Sequence, residues 1–405
     1  MRAEHDSAVG TLRVDDRSTT GQHATDHTAE FPSALSGDGR GVVRDGVARL
    51  DGVVQTGGIN EPNPRTLPGG GQRASGPGRA NGGDVGTTGG RHADGSPRFD
   101  QPVPPGGYLW WYVDAISDDG QHGLSIIAFV GSVFSPYYAL ARGKKAVADP
   151  ENFCALNVAL YGGGGKRWTM TERGRASIER TPNHFKIGPS SLVWDGDCLT
   201  INVDEINVPL LSRVRGTVRV YPQALFNFVT PLDDDHHHRW GPLAPSARVE
   251  VEFDQPGTKW SGHAYWDSNE GDEPIEKPFV EWDWSRSKMR DGSTAVIYDV
   301  RQKERDDHLI ALRFTKSGEV ETFEAPPRQE LPRTFWRVNR HMRSDKNEPV
   351  RVQETLEDAP FYARSILSSR LLGERVISMH ETLNVPRLTS PIVRMMLPFR
   401  MPRRK

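Results

Sequence analysis

Cysteine is nearly absent from this sequence of 405 residues, which contains only Cys154 and Cys198. No CxxC pair occurs, so the sequence indicates neither a disulfide framework nor a cysteine-ligated zinc site. A dominant sign of charge is lacking as well, because 51 basic and 53 acidic side chains leave a formal net charge of −2. Such a chain has no global field to attract nucleic acid, and we expect no nucleic-acid partner.

Long hydrophobic runs are missing too. The first ten residues carry charges with no apolar stretch behind them, which argues against a secretory signal peptide and predicts a protein that stays inside the cell. One uncharged stretch, residues 123–141, approaches the length of a membrane-spanning helix but mixes glycine, serine and proline with β-branched residues. It predicts two buried strands joined near Gly131.

Large apolar side chains are scarce in residues 1–105, whose only aromatic residues are Phe31 and Phe99 and which hold 20 of the 41 glycines. Burial of so few apolar groups cannot offset the entropy cost of ordering the backbone. We therefore predict a disordered, Gly-rich N-terminal extension without a catalytic role. The remaining 300 residues contain all 10 Trp and all 9 Tyr, enough for a sizeable core.

Short strand candidates separated by turn residues follow from Tyr108 onward. The clearer ones cover residues 109–116, 123–133, 191–203, 214–221, 247–253, 259–267, 279–285, 294–302 and 309–314. Their number predicts a mainly β fold of antiparallel barrels or sandwiches with little helix. Residues 360–372 are the best helix candidate.

We divide the folded part into a first β domain (residues 106–243), a second β-barrel domain (244–386) and a C-terminal tail (387–405). The tail is basic and rich in Met, Leu, Ile and Phe, and it has no acid. Two interpretations stay open: the tail lies in the interface of an anionic membrane, or it packs on its own barrel. Its prolines argue against a continuous helix.

The most informative stretch for chemistry is residues 259–271. Alternate residues of a strand share a face, so His263, Tyr265 and Asp267 project together, and the same spacing places His238 and Trp240 side by side. These groups provide acid–base partners and an aromatic face for a cation.

The register of the hairpin before this stretch leaves two alternatives. Pairing about Pro256 and Gly257 puts Glu250 and Glu252 on the face of Asp267, which makes that carboxyl an ordinary surface group. The other alternative is the polar wall of a ligand channel, and a single bulge would exchange the faces.

Other catalytic signatures are missing. Adjacent histidines 236–238 cannot all point at one metal ion, and residues 161–168 (YGGGGKRW) lack the glycine spacing of a phosphate-binding loop. There is no Gly-x-Ser-x-Gly elbow and no dinucleotide fingerprint after a strand.

Several motifs together resemble the carotenoid 1,2-hydratases, also called hydroxyneurosporene synthases. They are GYLWWYVDAISDDGQHGLSIIAFVGSVFSPYY (residues 107–138), HHRWGP (237–242), GHAYWDSNEGDEP (262–274), EWDWSR (281–286) and SPIVRMMLPFRMPR (390–403). The resemblance covers residues 100–405, and the Gly-rich first hundred residues depart from the family pattern. It implies a lipocalin-like β fold in two parts, no organic or metal cofactor, and addition of water to the terminal double bond of an acyclic carotene such as neurosporene or lycopene.

The resemblance also implies that His238, Trp240, Tyr265 and Asp267 are catalytic. We expect Asp267, protonated in an apolar pocket, to protonate C2 of the alkene, and the Trp240 ring to face the cation at C1. His238 would deprotonate the attacking water and Tyr265 would position Asp267, although the two proton roles could be exchanged.

Trp266 and His263 complete the predicted site as substrate contacts. Because a long polyene partitions into lipid, we expect peripheral association with the cytoplasmic side of the inner or intracytoplasmic membrane. The alternative function is a lipocalin-like carrier that binds a carotenoid or other lipid without chemistry.

Overall fold

A computed structural model describes residues 89–144, 148–163 and 165–404. Most of the strands in this part form one large sheet. They are β1 (Tyr108–Ser117), β2 (His122–Val130), β3 (Cys154–Gly162), β4 (Arg167–Arg173), β5 (Ile178–Thr181), β6 (His184–Ile187), β7 (Ser190–Trp194), β8 (Leu199–Ile206), β9 (Arg213–Pro222), β10 (Thr230–Pro231), β11 (His238–Gln255), β12 (Thr258–Gly271) and β22 (Arg403–Arg404).

A second sheet follows in the chain. Its strands are β13 (Phe279–Lys288), β14 (Thr294–Gln302), β15 (His308–Phe314), β16 (Val320–Thr322), β19 (Arg351–Ala359), β20 (Tyr362–Leu371) and β21 (Glu374–Asn384). A separate hairpin pairs β17 (Arg328–Glu330) with β18 (His341–Arg343). The helices are α1 (Pro136–Arg142), α2 (Val385–Leu388) and α3 (Pro391–Arg400), with single 3₁₀ turns at Pro150–Asn152 and Arg175–Ser177. The mainly β prediction is therefore confirmed.

Strand β1 is buried on both faces and separates two hydrophobic cores. Trp111 and Val113 point into the core enclosed by the first sheet, whereas Trp110 and Tyr112 point into the core between the two sheets. This alternation is the ordinary period of a strand, and here both faces are apolar because each meets a packed layer.

Two predicted elements were wrong. Residues 123–141 form β2 followed by α1 rather than two strands, because Ser135 caps the helix through a 2.9 Å bond from Tyr138 N and Pro136 occupies its first turn. Residues 360–372 form β20 rather than a helix. Leu372 and Gly373, with φ of 51° and 81°, form the tight turn that joins β20 to its antiparallel partner β21.

The predicted start of a second domain near position 244 lies inside β11, where Ala244 pairs with Trp266. The change from the first sheet to the second occurs instead between Gly271 and Phe279. Sequence patterns also overlooked β3 and β4, which extend the first sheet. The separation of the folded part into two domains stays a prediction.

Residues 1–88 of the predicted disordered extension lie outside the described residues, but residues 89–105 are ordered, against expectation. Phe99 is fully buried in the core of the first sheet. Arg91 is buried too and donates to the backbone carbonyls of Phe226, Phe228 and Pro242 at 2.8–3.0 Å. Its guanidinium satisfies backbone acceptors that would otherwise be orphaned.

The C-terminal tail folds back as α3 and β22, the latter pairing with β4. Prolines do not prevent the helix: Pro391 occupies the first turn, where no intrahelical N–H bond is required, and Pro398 lies inside the helix without ending it. Val393 and Leu397 are buried, so the expectation that the tail packs on its own fold is met on one face. In the described residues, no helix has the length and apolarity needed to cross a bilayer.

Candidate active site

A cavity of about 550 Å³ lies between the two sheets and α3. Aromatic rings from both sheets form much of its wall, namely Trp110, Tyr112, Phe129, Trp282, Trp284 and Tyr298. At its outer end the cavity is bordered by Leu210, which is 75% exposed, and by Met396 and Arg400 of α3. The volume and the apolar wall are those of a small-molecule site.

Asp267 of β12 reaches the cavity wall while remaining only 3% exposed. Its Oδ2 accepts hydrogen bonds from Trp240 Nε1 at 2.8 Å and from Tyr265 Oη at 2.9 Å. No described protein atom bonds to Oδ1. Trp240 and Tyr265 thus both donate to Oδ2, which leaves Oδ1 available to a cavity ligand.

Burial raises the pKa of Asp267 to about 8, because the carboxylate form would lose its hydration. The hydrogen bonds from Trp240 and Tyr265 lower the pKa, and the nearby acids Glu381 and Asp114 raise it. Burial dominates, so the carboxyl keeps its proton at neutral pH. A neutral acid with an unpartnered oxygen beside an aromatic cavity can donate a proton to a bound ligand.

Two irregularities in the β11–β12 pairing place these donors. Val251 opposes Trp260 as a simple hairpin requires, but register shifts between Ala247 and Pro242 bring Pro242 opposite Asp267. Each one-residue shift moves the side chains of one strand to the other face relative to its partner, and two shifts cancel. Trp240 and Asp267 therefore lie on the same face. The second sheet covers that face, since the Trp240 ring packs 5.6 Å from Tyr298.

His238 lies away from Asp267. It opposes Gly271, four residues beyond Asp267 on β12, a separation of about 13 Å along a strand. Its Nδ1 bonds to Tyr108 Oη at 2.8 Å, and burial lowers its pKa to about 3, so the ring is neutral. His238 does not border the cavity.

The two predicted substrate contacts also lie outside the cavity wall. Trp266 points into the opposite core, where its ring is 5.8 Å from Trp194, as the alternation along β12 requires. His263 lies at the surface end of the strand, with Nε2 2.6 Å from Lys288 Nζ. Neither position supports direct contact with a cavity ligand.

Trp282 and Trp284 of the EWDWSR stretch line the cavity, which the sequence prediction missed. The Trp284 ring lies 5.3 Å from Tyr265 and 5.6 Å from Tyr112. The alternation Trp-x-Trp was the available signal, because it places both indoles on one face of β13.

The intervening carboxylates of β13 form a different group. Glu281 and Asp283 approach His341 with ligand atoms within 4.8 Å of one another, a spacing that a metal ion would also accept. Arg328 Nη2 already lies 3.0 Å from Asp283 Oδ2 and 2.9 Å from His341 Nδ1. The guanidinium supplies the positive charge, so this cluster fits an ion-pair network better than a metal site.

A second carboxylate, Glu381 of β21, borders the cavity from the opposite sheet. Its Oε1 accepts from Tyr112 Oη at 2.6 Å and from Arg364 Nε at 2.7 Å. Arg364 also donates to Ser125 Oγ and Tyr161 Oη, at 2.5 and 2.6 Å. Sequence reasoning gave Glu381 no role, because nothing local marks a glutamate whose partners lie on other strands.

Comparison with known proteins identifies the family of this chain. The family model described as carotenoid hydratase CrtC matches residues 126–405. Acyclic carotenoid 1,2-hydratases from Rubrivivax gelatinosus and Thiocapsa roseopersicina are 60% and 50% identical, over 100% of this chain and 100% and 99% of theirs. The counterpart from Cereibacter sphaeroides is 38% identical over 69% of this chain and 98% of its own length.

These matches bear on the N-terminal extension and on the fold. Two relatives align along the full chain, whereas the family model covers only residues 126–405 and the Cereibacter sphaeroides relative matches 69% of the chain, so some members of the family share the N-terminal extension and the family pattern does not include it. Among solved structures, a Nitrosomonas europaea protein named as an AttH candidate covers 69% of this chain and 92% of its own, with a TM-score of 0.51 and 14% identity. That likeness supports the lipocalin-like fold.

Proposed function

The chain belongs to the carotenoid hydratase CrtC family, and we propose that it adds water across the terminal C1–C2 double bond of an acyclic carotenoid such as neurosporene or lycopene. The observation that carries this proposal is Asp267, a buried carboxyl that keeps its proton and presents an unpartnered oxygen to an aromatic cavity. An unactivated alkene is a very weak base, so its hydration requires a positioned acid of this kind.

In the proposed reaction, the proton of Asp267 passes to C2 and the positive charge develops at the tertiary carbon C1. Trp240 and Tyr265 hold Oδ2, so Oδ1 is the oxygen that carries the proton. As the proton leaves, the same two donors stabilise the carboxylate that forms. The product is a tertiary 1-hydroxy compound once water adds to C1.

The cation is proposed to face Trp282 and Trp284 rather than Trp240. The Trp240 ring does not border the cavity and its N–H is committed to Asp267, whereas both β13 indoles form part of the wall. A desolvated cation over an aromatic face gains about 2 kcal/mol or more, a rate factor of about twentyfold or more.

His238 is left out of the proton transfers because it lies off the cavity and its imidazole is neutral and bonded to Tyr108. The proposed proton transfers need only carboxyl groups and water, so the proposed reaction uses no cofactor.

Membrane association at the mouth of the cavity is part of the proposal. On α3, Ile392, Met395 and Phe399 are 69%, 71% and 80% exposed, while Met396 and Arg400 of the same helix border the cavity. Apolar side chains beside basic ones suit the interface of an anionic bilayer. Docking there would let the polyene enter the cavity without crossing water.

The decisive experiment incubates the purified chain with lycopene or neurosporene in detergent or lipid, with a metal chelator and no added nucleotide. We expect products heavier by one water, and Asp267→Asn should lower the rate at least about a hundredfold while the protein still folds. A wild-type protein that binds the carotene without forming product would instead indicate a carrier. Substantial turnover by Asp267→Asn would overturn the assignment of the acid.

A further inference from the structure

Hydration requires a proton acceptor as well as a proton donor. Water that attacks C1 must lose a proton, and Asp267 has only just become a carboxylate on the side of C2. The described carboxylates that border the cavity besides Asp267 are Glu357, Asp358 and Glu381. Glu357 and Asp358 lie on β19, the edge strand of the second sheet, whereas Glu381 lies on the interior strand β21.

We propose that Glu381 is a further catalytic residue, which holds the attacking water and takes its proton, and this inference rests on the proposed hydration. Tyr112 connects the two carboxyls. Its Cα directly opposes Asp267 on the neighbouring strand, and its hydroxyl donates to Glu381 Oε1 at 2.6 Å. Trp284, whose Cα opposes Glu381, places its ring 5.6 Å from Tyr112.

The hydrogen bonds of Glu381 leave one oxygen for water. Tyr112 and Arg364 both donate to Oε1, and no described donor contacts Oε2. Arg364 is almost fully buried, and its guanidinium forms a charge-assisted hydrogen bond of 2.7 Å with this carboxylate. Asp267, by contrast, accepts only from an indole and a phenol, both neutral. The two carboxyls therefore have the environments expected of a base and an acid.

The step balances in atoms and charge. Asp267 Oδ1 gives its proton to C2, a lone pair of the water forms the C–O bond at C1, and the departing water proton joins Glu381. Return of that proton to Asp267 through solvent restores the starting protonation, so the net change is the addition of one water.

A purely structural role for Glu381 must be distinguished, because Arg364 joins the sheets through Ser125 and Tyr161. For Glu381→Gln we expect kcat to fall about a hundredfold or more with KM within about threefold. The wild-type rate should fall at high pH, where Asp267 loses its proton. The residual activity of Glu381→Gln should keep this alkaline limb, because the substitution leaves the acid in place.

Glu205→Gln is the matched control, since Glu205 forms a comparable buried pair with Arg173 at 2.8 Å outside the cavity. It should keep the wild-type rate per folded molecule and the alkaline limb of the pH profile. Should Glu381→Gln fail to fold, Glu381→Asp serves as the second variant, because it keeps the carboxylate on a side chain that is one methylene shorter. Displacement of a positioned base by about 1 Å should then cost up to about a hundredfold in kcat.

Turnover by Glu381→Gln above about a third of wild type, or undiminished kcat in Glu381→Asp where only that variant folds, would overturn this role. If Asp267→Asn is inactive in the same assay, the proposed hydration stands and only the catalytic role of Glu381 is lost. Absence of product from the wild type would instead defeat the proposed function.

Discussion

At the scale of single residues, Asp267 shows how one physical cause produces both reactivity and instability. Burial holds the proton on the carboxyl, which suits it to protonate an alkene. The same burial penalises the folded state whenever the unfolded chain would ionise this group. The acid is thus retained at a cost in stability, as is common for functional residues.

This linkage predicts a pH-dependent stability difference between the wild type and Asp267→Asn. The pKa of Asp267 is about 8 when folded against 3.8 as the reference, so between these values the unfolded chain has lost the proton that the folded chain keeps. Wild-type stability should therefore fall as pH rises through this window, by at most about 6 kcal/mol. The variant does not titrate and should be the more stable protein at pH 8.

Urea unfolding at several pH values measures the difference. The gap should close below about pH 3, where both states of the wild type are protonated at this position. Equal unfolding midpoints at pH 8 would show that the Asp267 carboxyl is not held protonated by the fold.

At the scale of elements, α3 has two chemically distinct faces. Val393 and Leu397 help close the cavity, and Ile392, Met395 and Phe399 face outward. Deletion of the whole tail would therefore confuse membrane contact with damage to the cavity. Substitution of the outward face alone separates the two.

We expect the triple change Ile392→Ser, Met395→Ser and Phe399→Ser to reduce sedimentation with anionic vesicles at least about tenfold, because it removes the three most exposed apolar side chains of α3. Leu309→Ser and Ile377→Ser, which alter exposed apolar residues on β15 and β21, are the matched control and should leave vesicle binding unchanged. Hydration in detergent should survive both sets. Undiminished vesicle binding by the triple variant would place the contact elsewhere.

At the scale of the whole molecule, the segment at residues 89–105 contributes to the fold that holds the site. Arg91 bonds to the carbonyl of Pro242 and to Ser268 Oγ, each at 2.8 Å, and these residues flank the irregular pairing that positions Asp267. Phe99 fills the first core against Trp111, with ring centroids 5.0 Å apart. The backbone around Asp267 is therefore held by residues far from it in the chain as well as by its own strand pair.

Two truncations test this contribution. A chain that begins at residue 89 should retain hydration, consistent with the Cereibacter sphaeroides relative that matches only 69% of this chain. A chain that begins at residue 106 loses Arg91 and Phe99, and we expect it to lose several kcal/mol of stability, because it leaves buried carbonyls without donors and opens a cavity. Thermal melting and soluble yield measure the difference. Equal stability of the two truncations would contradict it.

The sequence alone determined the class of the fold, the alternation on β12 and the residues around Asp267. These are properties of neighbouring residues: strand periodicity sets which side chains share a face, and the HRWGP and HAYWD stretches carry the family resemblance. The covered face of Asp267 was left open, because periodicity says which residues lie together and not what packs over them.

Only the tertiary structure decided which groups meet in the cavity. Trp282, Trp284 and Glu381 join Asp267 because the second sheet packs against the first, and His238, Trp266 and His263 do not border the cavity although they lie close in the chain. Residues 360–372 became a strand because pairing with β21 outweighs local helix preference. The packing of one sheet on the other brings Asp267 to Glu381, more than a hundred positions along the chain, and strand alternation does not encode which sheet packs over a given face.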